Sequence, residues 1–371
     1  MVYIQLFDLI KVLAILFFFV LPGCYSEGRF EKTEFPQEPV SQNVPAINMN
    51  ETPDVLPVSS IPEQIAEPPK AAAEMPAEEK QAAKTAAEKP ADESPKATVV
   101  EPSRAERVMK AIAAAYPDRV GPAEFRNGDW AVPIRGVYYY YADARLLPEE
   151  LRAQSVNFDP QPFYRYEKEL PPWKTPSAEE SERYRNMTKA RQERKLKRSQ
   201  HFFDALWRAQ NKDQSYDRVK SIRFLGKPLF LHYAILEELS LVEEKILAEA
   251  KTNAQIRQWI NSLDTVAAWN WRNIAETESR SFHSYGAAID LIPKASATKG
   301  LETYWLWAVR SSPEWWAVPY SKRVNPPDAV IKIFESYGFI WGGKWNFYDT
   351  MHFEYRPEIL ILNDIPITGL H

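Results

Sequence analysis

Cysteine is all but missing from this chain: Cys24 is the only one in 371 residues. A single thiol excludes an intramolecular disulfide framework, and it excludes zinc sites built from several thiolates. Any metal must therefore sit on His, Asp or Glu, and there are only five histidines to draw on. Glycine is scarce at 12 residues, and from Pro36 to Ala115 there is neither a glycine nor an aromatic residue, whereas all 12 tryptophans lie beyond Gly128. That division excludes one core spread along the whole chain. A basic surplus is also missing, with 46 Lys and Arg against 50 Asp and Glu for a net charge of -4. Nucleic-acid binding expects a concentrated basic face, so no nucleic-acid partner is expected.

One unbroken apolar run is present, Val12 to Leu21, behind Lys11 and ahead of Pro22-Gly23-Cys24. Ten residues of helix cover about 15 Å, roughly half a bilayer core, so residues 1–23 read as a signal peptide and secretion across the inner membrane follows. The placement of Cys24 behind Leu21 and Gly23 resembles the lipobox of bacterial lipoproteins, which implies acylation of Cys24, a lipid anchor in a bacterial membrane and a cell-envelope or periplasmic location. Pro22 and Asp8 depart from the usual pattern. Residues 24–103 are rich in Pro, Ala and Glu, with 12 prolines from Pro36 to Pro102. Such a segment cannot bury enough apolar surface to offset the entropy of ordering, so it is expected to be a disordered tether. It would span about 50 Å as a coil and about 250 Å as polyproline II.

Order should begin at Ser103-Arg104-Ala105-Glu106, which has capping-box spacing ahead of Val108, Ile112 and Ala115. Trp130 to Tyr141, dense in aromatic and β-branched residues around Arg135-Gly136, reads as a hairpin. Ser177-Ala178-Glu179-Glu180 opens what reads as one long polar helix to about Trp207, whose Lys189, Arg191, Arg194, Lys195, Lys197 and Arg198 form a solvated basic face or, alternatively, a dock for anionic wall polymers. Ile235, Leu239, Val242 and Ile246 make one apolar stripe on a helix from about Tyr233 to Ala250. Another helix runs from Pro327 to a left-handed cap at Gly338. Short strands are expected within Gly286–Leu291 and Met351–Tyr355. The mixture, without a repeating strand-helix rhythm, indicates α+β: a small antiparallel sheet with flanking helices, preceded by an aromatic-rich N-terminal extension. The expected division is an accessory region of unknown role over 104–220 and a catalytic domain over 221–371.

Two histidines stand in unusual surroundings. In Ser281-Phe282-His283-Ser284-Tyr285-Gly286-Ala287-Ala288-Ile289-Asp290-Leu291 the small residues 286–288 let backbone approach closely, and Asp290 interrupts an apolar strand. A buried carboxylate is costly unless paired or metal-bound. The other histidine lies in Asp349-Thr350-Met351-His352-Phe353-Glu354. Two histidines and an aspartate with a fourth position open make a catalytic zinc site, and Asp349 is then a spare carboxylate placed to act as general base. Glu354, at i+2 from His352, either orients that ring or is a plain surface carboxylate. His201 and His232 read as structural. Trp305, Trp307, Trp315 and Trp316, in the stretch from Ala295 to Val324, either wall a cleft or belong to a core.

The conjunction of Ser281-x-His283-x-x-Gly286-x-Ala288-x-Asp290-Leu291 with Trp341-Gly342-Gly343-x-Trp345 and Asp349-x-x-His352-Phe353-Glu354, over roughly Ile222 to Pro357, resembles the zinc D-alanyl-D-alanine carboxypeptidases and L-alanyl-D-glutamate endopeptidases of bacterial cell walls. The resemblance implies that His283, Asp290 and His352 hold zinc and that Asp349 is the base. It implies that an upstream arginine, Arg272 with Arg280 as rival, holds substrate and polarises the scissile carbonyl, and that Ser281 bonds substrate or supports a ligand. The expected function is a membrane-tethered zinc peptidase cutting peptidoglycan stem peptides, acting as a monomer. The alternative is a non-catalytic wall-binding lipoprotein that retains the fold.

Overall fold

The computed structural model describes residues 101–368 except 276, all within the unit Asn48–His371. The expectations for residues 1–23, for Cys24 and for the tether up to residue 100 lie outside the described residues. Helix α1 (Arg104–Ala115) begins where expected, with the Ser103 hydroxyl accepting from the Glu106 amide at 3.1 Å. An antiparallel sheet follows in simple order: β1 (Glu124–Arg126), β2 (Asp129–Ile134), β3 (Val137–Tyr140) and β4 (Leu147–Pro148). The β2–β3 turn is the two-residue loop Arg135-Gly136, both with positive φ (50° and 82°), the twist that matches a right-handed hairpin.

The long polar helix is shorter than its sequence indicates. α2 covers Ala178–Glu193, with the full capping box at Ser177 and Glu180, and a separate α3 covers His201–Trp207. The break between them has a tertiary cause: the Lys197 amide donates to Asp159 Oδ2 at 2.7 Å, the Arg198 amide to Ser279 Oγ at 3.0 Å, and the Leu196 carbonyl accepts from the Glu278 amide at 2.8 Å. These bonds replace the helical ones. Nor is the basic run a solvated face throughout, since Arg191 and Arg198 are buried. The Arg191 guanidinium lies 5.6 Å from the Trp305 ring and donates to the Ala275 carbonyl.

After α4 (Lys212–Tyr216), β5 (Val219–Phe224) and β6 (Lys227–His232) form a second hairpin through Leu225-Gly226. A single 3-10 turn at Tyr233–Ile235 leads into α5 (Leu236–Ala250), whose Leu239, Val242 and Ile246 are buried as the stripe predicts. α6 (Ala254–Ser262) and β7 (Leu263–Ala267) precede β8 (Ala288–Pro293). The Trp-rich stretch contributes α7 (Trp305–Ser311), and α8 (Asp328–Ser336) ends near Gly338 at φ 90°. β9 (Phe339–Trp341), β10 (His352–Tyr355) and α9 (Pro357–Leu362) complete the chain. A second four-stranded sheet runs in the order β7-β8-β10-β9, antiparallel throughout, so the architecture is α+β.

Residues 104–207 share one hydrophobic core with residues 224–360: Ile112, Val132, Phe202 and Trp207 belong to the same cluster as Val242, Ile289 and Phe353. α1 packs on α9, and the Tyr116 hydroxyl donates to Glu358 at 2.7 Å. A second cluster of Tyr304, Trp305, Trp315, Trp316, Phe347, Tyr348 and Met351 stands beside the β9–β10 connection. The tryptophans Trp305, Trp315 and Trp316 are therefore core residues, and Trp307 is half-buried.

Candidate active site

Antiparallel register puts the chemistry in one place. β10 pairs with β8 so that His352 stands directly opposite Asp290, which puts both side chains on one face of the sheet, with His352 Nδ1 2.9 Å from Asp290 Oδ1. His283 comes from the 3-10 turn Phe282–Tyr285. The Ser281 hydroxyl caps that turn by accepting from the His283 amide at 3.3 Å, and Gly286 ends it at φ 66°. A Cβ at Gly286 would fall 2.7 Å from Val219 Cγ1 and 3.0 Å from the His232 amide, so backbone angle and crowding both require glycine there. His283 Nε2 is 3.2 Å from Asp290 Oδ2 and 3.3 Å from His352 Nδ1.

The outward nitrogen of each ring fixes its tautomer. His283 Nδ1 lies 2.5 Å from the Ala268 carbonyl, which can only accept, so that nitrogen carries the hydrogen. His352 Nε2 lies 3.3 Å from Glu354 Oε2 and donates to it. In the neutral form of each ring, which a metal selects, the lone pairs are on His283 Nε2 and His352 Nδ1, beside the Asp290 carboxylate. Holding the far nitrogen on a carbonyl or carboxylate is how metal-binding histidines are oriented. A tetrahedral ion with bonds of roughly 2.0–2.1 Å separates its ligands by about 3.3 Å. The two imidazole nitrogens are 3.3 Å apart, and each lies 2.9 to 3.2 Å from one oxygen of the Asp290 carboxylate, so donor chemistry and spacing suit such an ion and His283, Asp290 and His352 could hold a metal.

All four chemical side chains are buried, and the burial shapes their proton affinities. Burial holds His283 below its ordinary value against the pull of Asp290. For Asp290 burial works upward, but His283 and His352 override it and hold the carboxyl well down. Burial opposes charge on His352 as well, yet its hydrogen bonds to Asp290 and Glu354 raise it to about 9. Asp349 is pushed up to about 8 by burial and by the charge of Asp290. It sits in the tight connection before β10, where its amide donates to the Gly342 carbonyl at 3.0 Å and its Oδ1 accepts from the Met351 amide at 3.2 Å. A Cβ on Gly342 would come 2.6 Å from the Asp349 carbonyl oxygen, which explains the glycine at that point of the motif. The tryptophan cluster supports the same connection: the Trp305 amide donates to the Tyr348 carbonyl at 3.0 Å and the Thr350 amide to the Thr303 carbonyl at 2.8 Å.

The two arginines weighed in the sequence have different surroundings. Arg280 is ion-paired with Asp204, donates to the Ala209 carbonyl and stacks on Trp271 at 4.2 Å. Arg272 is half-buried on a segment tied to the His283 turn, its amide donating to Ser284 Oγ at 2.9 Å and its carbonyl accepting from the Ser281 amide at 3.2 Å. Its charge reaches the cluster, adding to the effect of burial on His283 and opposing in small part the rise that burial imposes on Asp349. His232 lies elsewhere, with Nε2 donating to the Trp207 carbonyl at 3.0 Å and Nδ1 accepting from the Ala234 amide at 3.1 Å, and His201 bonds Ser199.

Sequence reasoning passed over a buried chain of charges behind the site. From His352 it continues through Glu354 to Arg356 Nη1 at 3.4 Å, then through the Arg356–Glu358 ion pair to the hydroxyl of Tyr116 on the N-terminal side. The signal was available: 352, 354 and 356 are polar at period two along an apolar strand, and 358 continues the row. Trp345 was also left without a role, and its ring packs 5.2 Å from that of His352.

The α+β scaffold thus brings together three buried residues, His283, Asp290 and His352, that could hold a metal ion. Residues 275–355 match the family model described as D-alanyl-D-alanine carboxypeptidase, a span that takes in His283, Asp290, Asp349 and His352 and supports placing this part of the chain in that peptidase family. Residues 108–163 match a model described as a domain of unknown function. No curated protein and no solved structure matches the chain.

Proposed function

We propose that this protein is a zinc-dependent peptidase acting on the stem peptides of peptidoglycan. The observation that carries the reading is the convergence of two inward imidazole lone pairs and a carboxylate, 2.9 to 3.3 Å apart, with a further buried carboxylate close by in the matched family span. His283, Asp290 and His352 would hold the zinc. When bound, zinc supplies Lewis-acid charge, making water acidic enough to attack near neutral pH. Asp349 takes the proton released at a carboxylate oxygen and later returns it to the leaving amine. Arg272 offers its guanidinium to the carbonyl oxygen as negative charge develops there. Glu354 keeps the hydrogen on His352 Nε2, so that Nδ1 remains a lone-pair donor.

The location we propose is the bacterial cell envelope, with acylated Cys24 as anchor and residues 24–103 as tether. The support is the order of segments in the sequence: apolar run, cysteine, proline-rich stretch. Digestion of purified peptidoglycan with the full chain, followed by mass spectrometry, tests the activity. Loss of a single alanine identifies a carboxypeptidase and loss of a longer peptide an endopeptidase. No release from a zinc-loaded chain would overturn the peptidase reading in favour of a wall-binding module.

A further inference from the structure

Two stretches contribute no side chain to the candidate centre, the proline-rich segment before α2 and the Trp-rich insertion, and both line one groove. It measures about 680 Å³, within the roughly 300–1,000 Å³ of ligand sites. Trp173 comes from the proline-rich segment, Tyr184 from α2 and Tyr320 from the insertion; all three are half-buried, and Tyr184 is stacked on Trp316. Trp173 and Tyr320 meet edge to face at 5.1 Å, which holds their rings at a fixed angle. Trp345 is one of its lining residues, and the ring of Trp345 packs 5.2 Å from that of His352, which puts the groove next to the candidate centre. Four cations line it, Arg165, Lys174, Arg323 and Lys344, together with Glu167 and Glu180, and Arg323 is held in place by the Val318 carbonyl with its guanidinium over the Tyr348, Tyr320 and Trp173 rings.

We propose that this groove is a saccharide subsite that holds the amino-sugar strand from which the stem peptide hangs. The inference rests on the peptidase reading for its substrate polymer. A pyranose ring has an apolar C–H face and a rim of hydroxyl and amide groups, so it packs flat on an open aromatic ring while its rim bonds polar neighbours. Fixed aromatic platforms among polar side chains provide that pairing, and they lose little entropy because each ring has two side-chain torsions. A plain apolar peptide would leave the polar rim of Lys174, Thr175, Glu180 and Asn346 unused, whereas a sugar supplies both a ring face and hydroxyl and amide groups. The location explains why both stretches are present: they extend recognition beyond the scissile bond along the polymer.

The test is titration of the full chain with a β-1,4-linked N-acetylglucosamine tetramer, followed by tryptophan fluorescence and calorimetry, alongside hydrolysis of a free stem peptide and of the same peptide on its disaccharide. Saturable tetramer binding, at least tenfold weaker in both Trp173→Ala and Tyr320→Ala and unchanged in His283→Ala, supports the subsite. In the unaltered chain the tetramer should raise KM for the sugar-bearing substrate and leave the free peptide unaffected, a readout independent of whether any variant folds. Absence of tetramer binding by a chain that hydrolyses stem peptides would overturn the subsite and leave the peptidase standing. Binding by a chain that hydrolyses neither substrate would keep the subsite and remove the peptidase reading. Loss of free-peptide affinity in Trp173→Ala, with tetramer binding intact, would also overturn it.

Discussion

The two four-stranded sheets of this protein are alike in size and opposite in content. The sheet β1–β4 buries Ala131, Val132, Ile134, Tyr139 and Tyr140, a set that needs only shape and apolar area. The sheet β7-β8-β10-β9 buries Asp290, His352 and Glu354 within its strands. A buried charge costs several kcal/mol without a partner, so such a set persists only where each member satisfies another. The first sheet is therefore explained by packing, and the second calls for a chemical reason. The row His352–Glu354–Arg356–Glu358–Tyr116 runs from the second sheet to the end of α1, which makes the N-terminal region part of the support of His352.

The comparison is tested hardest at the ligands. His283→Ala and His352→Ala should each abolish zinc binding, measured by metal analysis of the purified chain, while equivalent truncation in the first sheet, such as Val132→Ala, should lower stability and leave zinc content whole. Full zinc in both histidine variants would remove the site. Next in size, Asp349→Asn should retain zinc and lose about 100-fold or more in turnover, the scale of a lost general base. Asp290→Asn should instead lose metal, and the reverse outcome would exchange the two roles. Glu354→Gln should weaken zinc affinity by about 10- to 100-fold in a chelator competition, the usual effect of removing the partner that orients a ligand histidine. An unchanged affinity would mean that the row behind His352 serves packing alone.

A smaller effect lies at the seam between the regions. Burial depresses His232 to about 4 from an ordinary 6.5, and its two nitrogens are engaged as one neutral tautomer between Trp207 and Ala234. The unfolded chain binds this proton more readily than the folded one, so stability is whole above about pH 6.5 and falls as pH drops towards about 4. The full loss from this group is roughly 3 kcal/mol. Denaturant unfolding at pH 7 and pH 4.5 should show that slope, reduced in His232→Gln; an unreduced slope would place the acid sensitivity in other groups. Smallest of all, Gly136→Ala in the first hairpin should cost about 1 kcal/mol for a side chain at φ 82°, without changing zinc affinity.

Much of the local structure was legible because its signals are short-range. The Ser103 cap, the Arg135-Gly136 turn and the stripe at 239, 242 and 246 each depend on residues within a few positions, and each has its element in the structure. The break after Glu193 was not legible, because it depends on Asp159 and Ser279, distant in the chain. The tryptophans could be assigned to neither cleft nor core from spacing alone, since burial belongs to the assembled fold.

The sequence by itself determined which residues could do chemistry: one cysteine and five histidines leave few candidates, and the motif positions of His283, Asp290, Asp349 and His352 mark them. Only the tertiary structure decided what state those residues are in. Strand register set Asp290 against His352, the Ala268 carbonyl and Glu354 chose the nitrogens that carry hydrogen, and enclosure moved Asp349 up and Asp290 down. Proton affinity and donor spacing depend on distances of a few ångströms between residues up to 69 positions apart, and no stretch of sequence contains those distances.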